Sequence, residues 1–157
     1  MKKKTNAFKN KGNKDVTAIV KRVPPRRIVE YYYFPEGDVS ARDIMNAVGD
    51  AFADKADIWP DINLCAVELE ADSLIFQDAK ECFIDPADQA WFEKQGITRQ
   101  YQASWHSADD QAAVQILKNV LETCGGRICS DTDDFEPSYG AEEVGRLAQE
   151  AGENRQE

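Results

Sequence analysis

A chain of 157 residues with 42% hydrophobic content carries enough apolar side chains for one core, and 19 Lys/Arg against 29 Asp/Glu give a formal net charge of -10. The charge is segregated: ten of the basic residues but one acid lie in residues 1–27, so the remainder is strongly acidic. An acidic body repels nucleic-acid backbones and anionic lipid, which argues against nucleic-acid contact by the folded part and points to a basic protein as its electrostatic partner.

The opening stretch MKKKTNAFKNKGNKD has six lysines among Asn, Thr and Gly, with no apolar run of the kind a secretory signal needs. Residues 1–14 are expected to form a disordered basic tail. No later segment approaches membrane-spanning length, so a cytoplasmic protein without membrane contact is the expectation. Next, DVTAIVKRV (15–23) and RRIVEYYYF (26–34) are β-branched and aromatic stretches interrupted by Pro24 and Pro25, which donate no ladder hydrogen bond. Both read as extended. In the second, Tyr31 and Tyr33 should share one face, and Tyr32 and Phe34 the other.

Ser40 with Asp43 three positions on is a variant capping box, and Ile44, Ala47, Val48, Ala51 and Phe52 continue at helical spacing to about Lys55. The stretch DIWPD then breaks the pattern. From Ile62 the period changes to two, with Cys65, Val67 and Leu69 alternating against Leu64, Ala66, Glu68 and Glu70, and LIFQDAKECF follows as a hairpin partner. Asp85 before Pro86 starts a short helix carrying Trp91 and Phe92, which Gly96 closes. TRQYQASWH alternates again. Ser107 with Asp110 repeats the capping pattern ahead of the clearest apolar stripe in the chain, Ala113, Ile116, Leu117, Val120, Leu121 and Cys124, which Gly125 and Gly126 stop. RICSD reads as a short strand, and residues 141–151 as a thin peripheral helix that frays toward residue 157.

This order predicts an α+β domain over residues 15–140: a mostly antiparallel sheet with two main helices on one face, in a ferredoxin-like split βαβ arrangement with additions. Residues 141–157 form a peripheral helix and acidic tail in this scheme.

Chemistry is sparsely signalled. The four cysteines make no CxxC pair, and a zinc site joining them to His106 would need long-range spacings throughout except between Cys124 and Cys129; reduced structural thiols, and no cofactor, are expected. The acidic run Asp131, Asp133, Asp134 and Glu136 fails as an EF-hand loop. Counted from Asp131, Phe135 takes the fifth position and Glu136 the sixth, where a ligand and a glycine are needed. An irregular Mg²⁺ or Ca²⁺ site, a solvated turn and a protein-contact surface around Phe135 and Tyr139 are the alternatives. His106 sits in no GxSxG elbow or HExxH helix, and Glu68 and Glu70, placed on one strand face, read as part of a solvated surface.

The leading expectation is a noncatalytic protein-binding module. Its acidic loop, Asp131, Asp133, Asp134, Phe135, Glu136 and Tyr139, with Glu68 and Glu70 second, would dock on a basic protein. An immunity protein that occludes the active site of a cationic bacterial toxin, such as a nuclease, is the biological form this takes. The rivals are a small enzyme or small-molecule sensor with a pocket near His106 and Trp105, and self-association through a sheet edge.

Overall fold

The computed structural model describes residues 27–147, and they build one seven-stranded antiparallel sheet in an α+β fold. In chain order the elements are β1 (Ile28–Phe34), α1 (Ala41–Ala47), β2 (Ala56–Trp59), β3 (Leu64–Glu68), β4 (Ser73–Asp78), α2 (Pro86–Gln95), β5 (Tyr101–His106), α3 (Asp110–Cys124), β6 (Arg127–Cys129) and β7 (Ser138–Tyr139). The sheet order is β2-β3-β4-β5-β1-β6-β7, so the first strand lies inside the sheet between β5 and β6. The tail expected at 1–14, the extended segment at 15–23 and residues 148–157 lie outside the described residues.

The two faces of the sheet are covered differently. On one, Tyr33, Cys65, Val67, Leu74, Phe76, Tyr101, Ala103 and Trp105 meet the buried stripes of α1 and α3 in the main core. This is the two-helix layer that the periodicity predicts. On the other, Tyr32, Phe34 and Cys129 pack with Ala79, Phe83, Phe92 of α2 and Phe135 in a second, largely aromatic cluster. The tyrosine run thus feeds both cores by alternation alone.

Beyond that corner the second face is only partly covered among the described residues, with Glu30 and Asp57 exposed and Ser104, Ile75 and Ala66 half-buried. Glu30 of β1 pairs across with Ser104, Ser104 with Ile75, Ile75 with Ala66 and Ala66 with Asp57, giving one outward row over five strands. A parallel row runs Trp59, Leu64, Gln77, Gln102, Tyr32.

Local chemistry explains the boundaries. The capping box is complete: the Ser40 amide donates to Asp43 Oδ2 at 2.9 Å and the Asp43 amide to Ser40 Oγ at 3.3 Å. The helix ends at Ala47, not near Lys55, because Gly49 takes φ +103° and Asn119 of α3 occupies the space a Cβ would need, 2.5 Å from Nδ2, while that Nδ2 donates to the Val48 carbonyl at 2.8 Å. Residues 50–55 continue as a 3₁₀ helix. The stretch expected only to break the helix overlaps β2, whose Ala56 and Ile58 pack on the main core while Asp57 and Trp59 face out. Four residues are too short for alternation to stand out from a loop in sequence. The strand expected from Ile62 to Glu70 is shorter, Leu64–Glu68, and follows Asn63 in the left-handed conformation with φ +52°.

Candidate functional site

The acidic loop of residues 131–137 joins β6 to β7, and its geometry is set by hydrogen bonds and one buried ring. At its base the Ser130 amide and hydroxyl both donate to the Pro137 carbonyl, at 3.2 and 2.7 Å. Inside it, the Phe135 amide donates to the Thr132 carbonyl at 3.1 Å, the Glu136 amide to Asp134 Oδ1 at 3.1 Å, and the Thr132 hydroxyl stands 2.8 Å from the Glu136 carbonyl oxygen. Arg127 braces the far side. Its Nε donates to Ser138 Oγ at 2.8 Å and its Nη2 to Glu143 Oε1 at 3.2 Å, and Glu143 also accepts from the Gly140 amide, at 2.9 Å. That backbone donor, foremost, holds the Glu143 carboxyl below its ordinary range.

Phe135 is the anchor. It has φ +60°, is 8% exposed, and lies with its ring centroid 5.1 Å from Trp91, 5.3 Å from Phe34 and 5.8 Å from Phe83. A phenylalanine accepts a left-handed backbone only where packing over-determines it, and here the ring completes the second core. Tyr139 is 3% exposed and turned the other way, edge-on to Tyr31 at 6.5 Å in the main core. Phe135 and Tyr139, expected to anchor one partner surface, are thus both internal in the chain, on opposite faces of the sheet. Sequence could not tell a ring beside carboxylates in a loop from a ring that pins the loop down.

The carboxylates are outside. Asp131, Asp133, Asp134 and Glu136 are all exposed. Burial first, then the nearby Asp131 charge, raises the Tyr32 hydroxyl above its ordinary value. A pocket of about 320 Å³ opens between the loop, the end of β1 and α2, lined by Phe34, Trp91 and Phe135 together with the charged Glu36, Arg127, Asp134 and Glu136. Trp91 is half-buried and forms part of its wall. No sequence signal marked Glu36 or Trp91 as members of this site, since they come from two other elements and converge only on folding.

Glu68 and Glu70 are exposed but do not share a strand face. Glu68 ends β3 and Glu70 lies in the turn after it, which Asp109 ties down by accepting from the Ala71 and Asp72 amides at 3.0 and 3.2 Å. Glu68 faces the same side of the sheet as the acidic loop. Four strand spacings, roughly 19 Å, separate β3 from β6, so the two groups do not form one contiguous patch.

His106 and Trp105 each make a hydrogen bond that supports the start of α3. His106 Nδ1 accepts from the Ala108 amide at 3.0 Å, capping the 3₁₀ turn that leads into α3, and Trp105 is 2% exposed with Nε1 donating to Asp110 Oδ1 at 2.8 Å. Ahead of α3, then, Asp110 serves the indole of Trp105 and histidine caps the turn. Neither His106 nor Trp105 lines any of the pockets found around Phe34, Arg99, Cys124 or Ile84.

Among the described residues no three or more His, Cys, Asp or Glu side chains converge as a metal site. All four cysteines are free thiols, and only Cys82 is exposed. No helix among the described residues is long and apolar enough to cross a membrane. Comparison with protein-family models, with curated proteins and with solved structures finds no match to the chain.

Proposed function

We propose that this protein is a noncatalytic binding module for a basic protein, and that the rim of the acidic loop with its adjoining pocket is the contact surface. The observation that carries the reading is the arrangement of the loop: Phe135 is buried while Asp131, Asp133, Asp134 and Glu136 are exposed, beside a pocket walled by Trp91. Carboxylates on a braced loop lose little conformational freedom on binding, so more of their attraction to a cation is retained. A partner guanidinium or ammonium entering the pocket would meet Glu36, Asp134 and Glu136 at the rim and the Trp91 ring at the wall, combining charge pairing with a cation–π contact. Affinity then rests on the loop rim and Trp91, replacing the buried Phe135 and Tyr139 as the aromatic contribution. Glu68 and Glu70, on a separate part of the surface, act as long-range attraction at most.

The biological form this reading takes is an immunity protein that neutralises a cationic bacterial toxin, such as a nuclease, by covering the groove that binds its anionic substrate. The acidic balance of the chain beyond residue 27 supports it. The test is a titration of the protein against a purified cationic nuclease domain, read both as binding and as loss of nuclease activity. Simultaneous reversal of Asp131, Asp133, Asp134 and Glu136 to lysine is expected to weaken binding at least about tenfold and to flatten its salt dependence. Equal binding by the reversed and native proteins would overturn this placement of the interface.

A further inference from the structure

We propose that residues 15–23 of this same chain dock across the partly covered face of the sheet, beside the second aromatic cluster. The face is built from Ile28 and Glu30 of β1, Ser104 and His106 of β5, Ile75 of β4, Ala66 and Glu68 of β3, and Asp57 and Trp59 of β2, as the strand register dictates. Two of its large apolar side chains are half uncovered, Ile28 at 50% and Trp59 at 48% exposure. Its charged side chains on these strands are Glu30, Asp57 and Glu68, with no Lys or Arg among them.

Three observations select the occupant. The first is where the chain enters. The Ser107 amide donates to the Arg27 carbonyl at 3.0 Å, extending the β1–β5 pairing one residue beyond Ile28 and fixing the start of β1 at the margin of this face. The second is reach. Residues 24–27 extend to about 13 Å, which spans from β1 past β5 to β4. An extended stretch of nine residues is roughly 30 Å long against the roughly 19 Å that separates β1 from β2, the outermost of the five strands. The third is chemistry. In extended form DVTAIVKRV turns Val16, Ala18, Val20 and Arg22 to one side and Ile19, Lys21 and Val23 to the other, so either side brings apolar groups and one cation to a face whose charges are all acidic. A second copy of the protein laid face to face would instead set Glu30, Asp57 and Glu68 against their own duplicates, a like-charge contact that disfavours self-association here. This inference is independent of the acidic-loop reading.

Trypsin reports the outcome on the full-length chain. The bonds after Lys21 and Arg22 are timed against those after Lys9 and Lys11, with a synthetic peptide of residues 1–27 supplying the intrinsic rates. Docking is expected to slow cleavage after Lys21 and Arg22 by at least about tenfold relative to the peptide, independently of protein concentration. Lysine substitution at Ile75, or charge reversal of Glu30 and Glu68 together, should restore the peptide rates while circular dichroism stays native. Peptide-like cleavage in the native chain, protection that grows with protein concentration, or protection unchanged in both folded variants would each overturn the proposal.

Discussion

The ring of Phe135 meets the ring of Phe34 edge-on with centroids 5.3 Å apart, and this contact ties the acidic loop to the end of the central strand β1. Because β1 contributes alternate residues to both cores, the loop that presents the carboxylates is coupled to the sheet as a whole. Stability and the proposed binding surface therefore share one residue.

Phe135→Ala should cost about 3 kcal/mol, the lower end of the range for a buried phenylalanine, because the site is at the surface of the second core and can partly collapse. Urea unfolding followed by circular dichroism measures this. A loss below about 1 kcal/mol would mean that the ring does not hold the loop.

Removal of the Asp110 carboxylate tests the alternative seat of function. Asp110→Ala leaves the buried Trp105 indole N–H without the acceptor it has at 2.8 Å and should destabilise by about 1–3 kcal/mol, whereas Asp110→Asn keeps an acceptor oxygen and should lose less. Equal losses in the two variants, by denaturant unfolding, would separate the effect from that hydrogen bond. Partner binding should be unchanged in both.

The capping box makes a pH-dependent contribution. Hydrogen bonds from the Ser40 amide first, then its hydroxyl, hold the Asp43 carboxyl below its ordinary 3.8. A carboxyl lowered in the folded state contributes stability that is complete above 3.8 and is lost as pH falls through the folded value. Ser40→Ala should cost about 1 kcal/mol at neutral pH. The gap between native and variant unfolding midpoints should narrow as pH is lowered below 3.8 without vanishing, because the variant keeps the residue-40 amide and the bond from the Asp43 amide to Ser40 Oγ does not depend on the carboxyl's charge.

The buried thiols act at the other end of the pH scale. Burial pushes Cys65 and Cys129 from 9.0 up to about 12, with Arg127 partly opposing the shift at Cys129. A group raised in the folded state contributes stability that is intact below 9.0 and lost as pH rises toward about 12. Unfolding midpoints should decline over that window, and Cys65→Val should remove its share of the decline. With a thiol-specific disulfide reagent at pH 8, Cys82 should react at once, and Cys65 and Cys129 only after unfolding.

Much of the fold could be read from the chain because the relevant signals are local. Ser40 with Asp43, Asp85 before Pro86, and Gly96 mark helix ends through bonds made within a few residues, and alternation in Tyr101–His106 and the Ala113–Cys124 stripe states which side must be buried. Charge segregation is likewise a property of the sequence alone.

Tertiary structure decided what depends on which side chains meet from far apart. Nothing near Gly49 announces that Asn119, 70 positions away, fills the space beside it, and nothing in Ala56–Trp59 announces a partner strand. Above all, the sequence places Phe135 among carboxylates, while only the packing of Phe34, Trp91 and Phe83 around it turns the ring inward and leaves the acids at the rim. Local hydrogen bonding and periodicity set the elements because their energies are nearly independent of the rest of the chain; the exposure of a single ring depends on the apolar surface that distant residues bring to it.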